Sequence, residues 1–464
     1  MRSAERPAPS PATSALPRSV RLGYGSGSVA TGAFGTVPGL MLLPYLTDEL
    51  GVAALWAGIL VVAPKAWDVV VNPVAGRITD RTRDPRGPRR PWLLRAGLPL
   101  AALFALVFAS PGLETQWLEA AWVLVAFLGC ATAYAFFQVP YVAMPAEITD
   151  SYDERTRLMT WRVAILALTI LVAGASAPAI RDAVGGRDGY RAMGLTIAVI
   201  IAVGVVGAYV GTRRAPVLAP AAGAGSLRDQ LRVVSRARDF RLLLSTYVVQ
   251  ALAVGTMLAG VDYLARHVLD DASLSTPLFV CFVGPALVLT PVWTRYGERV
   301  GKQRGFVVAS LVLAAGAAAT ASALVAPLVV VALAVAVVGV GYAGTQVFPL
   351  AMLPDAAAVD ARRTGENRAG VYTGVWTAGE TVGLALGPGV FGVALALGGY
   401  VSSTGGASAQ PDSAVTAIAL GFSLVPAALV LLSLLWLGRY ALDASTVADA
   451  TGHATGTPDR TEPA

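Results

Sequence analysis

The stretch Trp67-Asp68-Val69-Val70-Val71-Asn72-Pro73-Val74-Ala75-Gly76-Arg77-Ile78-Thr79-Asp80-Arg81-Thr82 closes an apolar run that begins near Leu55. A helix of about 20 apolar residues crosses the hydrocarbon of a bilayer, and this run is long enough to do so. Within it only Lys65 and Asp68 are charged, and residues 72–76 mark its expected end. An intramembrane charge costs roughly 2.5–3.5 kcal/mol at the bilayer centre and reads as functional by default. Lys65, Asp68 and Asn72 are spaced i, i+3, i+7, so they share one helix face. Beyond the run lies a loop with Arg77, Arg81, Arg83, Arg86, Arg89 and Arg90, followed by Arg95.

The whole chain repeats this alternation of apolar run and short basic loop. Of its 464 residues 55% are hydrophobic and 14% charged, and mean hydropathy is +0.63. Soluble chains carry about 25% charged residues, so this one cannot coat a soluble globule. Twelve spans are expected, starting near Leu22, Leu55, Leu93, Trp117, Arg162, Ala192, Arg241, Ser275, Gly305, Pro327, Ala369 and Ala414. The fold class is therefore an all-α polytopic membrane protein. The loops at 47–54, 111–116, 323–327 and 398–412 carry no Lys or Arg. By the positive-inside rule the Arg-rich loop and both termini face the cytoplasm, although Arg181, Arg187, Arg191 and Arg266 fall on the other side. The expected location is the cytoplasmic membrane, with the bilayer as a partner.

Several function classes fall away. The net charge of +6 resides in loops between spans, which is topology and not a nucleic-acid footprint. Cys130 and Cys281 lie inside apolar segments, which argues against a disulfide framework or zinc site. His267 and His453, at a loop edge and in the tail, leave no intramembrane metal site or His-based triad. No phosphate-binding loop with its Lys-Ser/Thr pair is present. The reading is a transporter and not an enzyme, with no cofactor.

The chain also divides in two. Residues 1–21 read as a disordered tail, 22–212 as one six-helix bundle, 213–240 as a basic linker, 241–440 as a second bundle and 441–464 as another tail. Loops at matching positions resemble each other across the halves. Gly76 to Arg81 after span two corresponds to Arg295-Tyr296-Gly297-Glu298-Arg299 after span eight. The acidic-basic segment from Glu147 to Arg155 after span four corresponds to that from Asp355 to Arg368 after span ten. Parallel six-helix repeats are the plan of the major facilitator superfamily, in which two bundles rock about a midplane site.

The span-two stretch, continued through Gly87 to Pro91-Trp92, resembles the signature of the glycoside–pentoside–hexuronide:cation symporter family. That signature runs W-D-x-x-x-D-P-x-x-G-x-x-x-D-x-T, then Gly, then P-W. Tyr45 to Asp48, Val139-Pro140-Tyr141, Glu147 to Asp150, Glu154-Arg155-Thr156 and Trp161-Arg162 extend the resemblance. Pro354-Asp355, Arg363-Thr364-Gly365 and Tyr372 to Thr377 carry it into the second half. It implies the major facilitator fold, with a small-molecule substrate and a coupling cation.

Departures from the pattern bear on chemistry. The family's second span-two acid is here Asn72, one Thr of its cation site is Ala135, and the other matches Thr377. Its span-eleven Lys falls on Thr381, next to Glu380. The acids that hold galactoside in the family's galactoside carriers fall on Gly32 and Gln138, and a stacking Trp on Val142. The resemblance assigns Arg162 to the substrate and Asp80, Arg81, Asp153 and Arg155 to a cytoplasmic gate.

The expected coupling residues are Asp68, Asn72, Thr377 and Glu380. A polar cavity is expected from Lys65, Gln138, Tyr141, Arg162, Gln346, Trp376 and Thr381, with Tyr134, Tyr247, Gln250 and Tyr342 nearby. Each has a blander reading: a Lys65–Asp68 pair that only neutralises itself, an Arg162 that snorkels, or polar side chains that join helices. The function expected is symport of a small polar, sugar-like solute by a monomer, coupled to H⁺ more than Na⁺. A proton-coupled exporter of a hydrophobic metabolite or drug, and a lysolipid carrier, remain open.

Overall fold

The computed structural model describes residues 16–149, 151–216, 237–364, 369–405 and 409–442. Twelve helices among them are long and apolar enough to cross a membrane: α1 (Arg18–Glu49), α2 (Ala54–Asp80), α3 (Arg90–Val107), α4 (Gln116–Ala143), α5 (Arg157–Val184), α6 (Gly186–Thr212), α7 (Arg238–Val268), α8 (Ala272–Val300), α9 (Lys302–Leu324), α10 (Leu328–Arg363), α11 (Val371–Leu397) and α12 (Asp412–Leu437). Helices satisfy every backbone group internally, as the bilayer requires.

The two halves pack alike. In the first, α1 lies against α5 and α6, α3 against α4 and α6, and α2 against α4. In the second, α7 lies against α11 and α12, α9 against α10 and α12, and α8 against α10. The halves meet through α2 with α11, α5 with α8, and α1 with α7. All twelve expected spans are present, and the described chain begins and ends on one face, here the terminus face.

Three boundaries differ from the sequence reading, each because a charged turn continues a helix. Residues 18–21, read as tail, open α1, and Arg21 there pairs with Glu154 at 2.9 Å. The helix carrying α5 starts at Tyr152, ten residues before Arg162, where the Ser151 hydroxyl accepts from Glu154 N–H. α2 runs to Asp80 instead of ending at 72–76. Asp68 thus sits mid-helix, roughly 18 Å from that end at 1.5 Å per residue. Of the expected linker, 217–236 lies outside the described residues, and α7 already begins at Arg238. Residues 1–15 and 443–464 of the two tails also lie outside them.

Candidate functional site

Each half carries charged side chains in the middle of a spanning helix. On α2 the Lys65 ammonium lies 3.3 Å from Asp68 Oδ2 and 5.8 Å from the Phe34 ring centroid. The second oxygen, Asp68 Oδ1, is buried with no hydrogen-bond partner among the described residues. Asn72, one turn on, is exposed. On α11 the Glu380 carboxylate accepts a 2.7 Å hydrogen bond from the Tyr247 hydroxyl on α7, which also lies 3.1 Å from Gln346 Oε1 on α10. These groups, with Gln250 and Thr345, line a small cleft. Arg162 on α5 lies within electrostatic reach of Glu380 across the two halves.

The remaining expected cavity residues divide by depth. Arg162 stacks over Tyr141 at 5.8 Å, and its Nε is buried without a partner among the described residues, as is Gln138 Oε1. Thr377 and Thr381 are exposed and linked, the Thr381 hydroxyl donating to Thr377 O at 2.9 Å. Tyr141 and Trp376, expected to line the cavity, are instead fully buried. Tyr141 donates to Tyr24 O at 2.8 Å and meets Ser28 Oγ at 3.0 Å, bolting α4 to α1. Trp376 stacks on Tyr247 at 4.4 Å between centroids. Both aromatics therefore back the site and fix the groups that line it. Packing of an α1 residue is also plain: a Cβ on Gly32 would stand 3.1 Å from Thr169 on α5.

On the terminus face, Asp80 pairs with Arg89 at 3.1 Å, and Arg89 reaches Glu147 at 2.5 Å. Arg81 is exposed, and Arg155 Nε donates to Thr149 O at 2.9 Å. The Asp153 side chain lies outside the described residues. These contacts stay within the first half, as Lys302–Asp355 at 2.5 Å stays within the second. Burial raises the Glu147 carboxyl above its ordinary value against the opposing pull of Arg89. The loop residue Asp84 is held down to about 2 by hydrogen bonds from Arg86.

The opposite face carries a set of contacts that sequence reasoning missed. Arg181 of α5 forms paired 2.6 and 2.7 Å hydrogen bonds with Asp262 of α7, both almost wholly buried. Arg266 pairs with both Asp262 and Asp182, and Ser275 donates to Asp262 at 2.7 Å. Alongside, α1 and α7 each end in a π-helical turn, at Tyr45–Glu49 and Leu264–Val268. Thr47 Oγ1 lies 2.6 Å from the Tyr263 hydroxyl, and Tyr400 donates to Asp48 at 2.5 Å while lying 2.9 Å from His267 Nε2. These bonds latch the halves together. The available signals were Asp48, Asp182 and Asp262 within or beside apolar runs, and arginines on the face where few were expected.

The MFS/sugar transport protein family model matches residues 23–444. The chain is 25% identical to the putative glycoside/cation symporter YagG of Escherichia coli, with 91% of each chain covered. It is 24% identical to the isoprimeverose transporter of Lactiplantibacillus pentosus, over 89% of this chain and 86% of that one. The crystal structure of a D-xylose–proton symporter superposes with a TM-score of 0.67 at 11% identity, covering 92% of this chain and 98% of the other.

Proposed function

The chain belongs to the MFS/sugar transport protein family, and from that premise we propose that it accumulates a small polar, sugar- or glycoside-like solute by proton symport. It is a multi-pass secondary transporter with the major facilitator fold, and not an enzyme. The named substrates of its relatives support the solute class. The terminus face is taken as cytoplasmic because it bears the arginine-rich loop. The opposite-face arginines each have an acid to hold in the latch or beside it, which gives them a structural reason to lie there. The working unit is a monomer.

One observation carries the coupling assignment: each half offers one mid-helix carboxylate, Asp68 beside Lys65 and Glu380 beside Tyr247. Sodium favours several oxygen ligands, and Asn72 in place of the family's second acid removes one charged ligand from α2. A proton neutralises Glu380, whose hydrogen-bond partner Tyr247 is uncharged, and at Asp68 it breaks the ion pair with Lys65, so proton binding alone changes the charge balance that governs whether the bundles can rock through lipid. Uptake into vesicles under an imposed pH or Na⁺ gradient tests this. The pH gradient alone drives accumulation by the wild type, Asp68→Asn retains only downhill flux, and Glu380→Gln is impaired. Sodium-driven accumulation at fixed pH, or full accumulation by Asp68→Asn, refutes it.

Simple galactosides are not the solute. The acids that would accept their hydroxyls are Gly32 and Gln138 here, and a hydrogen bond to a charged group contributes about 1.5–3 kcal/mol. Tight melibiose uptake by the wild type would contradict this.

A further inference from the structure

The first turns of α7 place Arg238, Arg241, Leu242 and Ser245 on one helix face by their i, i+3, i+4, i+7 spacing. Trp436 of α12, and Arg439 just past its end, close on that face from the far end of the sequence. The six residues line a groove of about 420 Å³ on the terminus face. All three arginines are exposed. Among the described residues no carboxylate pairs with any of them, and the neighbouring Asp239 accepts instead from Ala441 N–H at 3.2 Å. Three like charges thus share one groove whose lining contains no acid.

Three guanidinium groups set together repel one another unless an anion lies between them, and their forked donors match phosphate oxygens. The surroundings say where that phosphate comes from. Leu431, Leu432 and Leu435 on α12 are exposed on the membrane side of the groove, and Trp436 is the residue type that sits at the head-group level. We infer that this groove is a binding site for an anionic phospholipid, its head-group phosphate held by Arg238, Arg241 and Arg439 and its acyl chains lying along Leu431 and Leu435. The site is separate from the substrate cleft and does not depend on the coupling ion. Nothing in the solute assignment bears on it.

The test is native mass spectrometry of the full chain released from nanodiscs of equimolar phosphatidylglycerol and phosphatidylcholine. Wild type retains phosphatidylglycerol in preference, and replacing all three arginines by Gln lowers that retention at least about tenfold, since each basic residue near an anionic surface contributes about a fivefold preference. The triple Arg→Lys variant, which keeps the charge and loses the forked donors, retains a preference between those of wild type and the triple Gln variant, and free inorganic phosphate does not displace the lipid. Equal retention of the two lipids by wild type, unchanged preference in the triple Gln variant, or displacement by inorganic phosphate overturns the assignment. Should the triple Gln variant fail to fold, Arg241→Gln alone is read by the rise in thermal midpoint on adding phosphatidylglycerol. That rise shrinks relative to wild type, and an undiminished rise counts against the site.

Discussion

Glu380 is held by one phenol, and that single bond makes a test of its role. Tyr247 donates to it at 2.7 Å while its ring rests on Trp376. Tyr247→Phe keeps the stack and removes only the donor. A hydrogen bond to a charged group contributes about 1.5–3 kcal/mol, a factor of at least about ten in any equilibrium that depends on it. Concentrative uptake under a pH gradient should fall by roughly that factor, with downhill exchange nearer wild type; an unchanged rate would show that Glu380 cycles without this bond. At this scale the sequence revealed much of the first half, because Lys65 and Asp68 are three residues apart and helical geometry alone brings them together. It could not reveal Tyr247–Glu380, whose partners are 133 positions apart. Nor could it show that Trp376 and Tyr141 lie behind the cavity wall, since burial of an aromatic depends on which neighbour covers it.

Among elements, the twelve spans were legible because each needs a long apolar run, and nothing else in a soluble chain demands one. Their ends were not, because polar turns outside the hydrocarbon stay helical when a cap or an ion pair supports them, as Ser151 and Arg21 do. The packing of α2 on α11 depends on close approach: a Cβ on Gly392 would stand 2.9 Å from Ala54 O and 3.1 Å from Gly58 Cα. Gly392→Val should destabilise the latched form by about 1–3 kcal/mol through overpacking and lower its thermal midpoint. Gly35→Ala, whose new methyl meets nothing within 4 Å, should not. Equal midpoints for the two variants would mean that α2 and α11 part easily. In the loops, the raised Glu147 carboxyl gives a pH test. For an acid whose folded value lies above its unfolded one, the contribution to stability is full at low pH and is lost as pH rises from the unfolded value through the folded one. Glu147→Gln should flatten that decline, measured as thermal midpoint against pH; Asp84, ionised down to about pH 2, contributes no slope there.

The whole molecule is a two-state device whose present state is set on the opposite face. Arg181, Asp262, Arg266 and Asp182 form a lattice between α5 and α7 whose Arg181–Asp262 pair is buried, and Asp48, Tyr400 and His267 form a second contact beside it. Sequence could not foretell this latch, because Asp48 and Tyr400 are 352 positions apart and no local pattern fixes how two bundles meet. Both contacts must break for the halves to part there, so the lattice weighs directly on the balance between states. Removing one partner of a buried pair leaves an uncompensated charge and costs about 3–5 kcal/mol. Conformers that differ by a few kcal/mol are inverted by a change of that size. Arg181→Gln leaves Asp262 facing Arg266 alone and should shift the population toward the form open on the opposite face. Arg181→Gln combined with Asp262→Asn strands no acid at that pair and should shift it less. Paired spin labels on the opposite-face ends of α5 and α8 read the outcome as a distance distribution. A longer distance in the single variant than in the double supports the latch; matching distributions for wild type and Arg181→Gln would show that the state is set elsewhere.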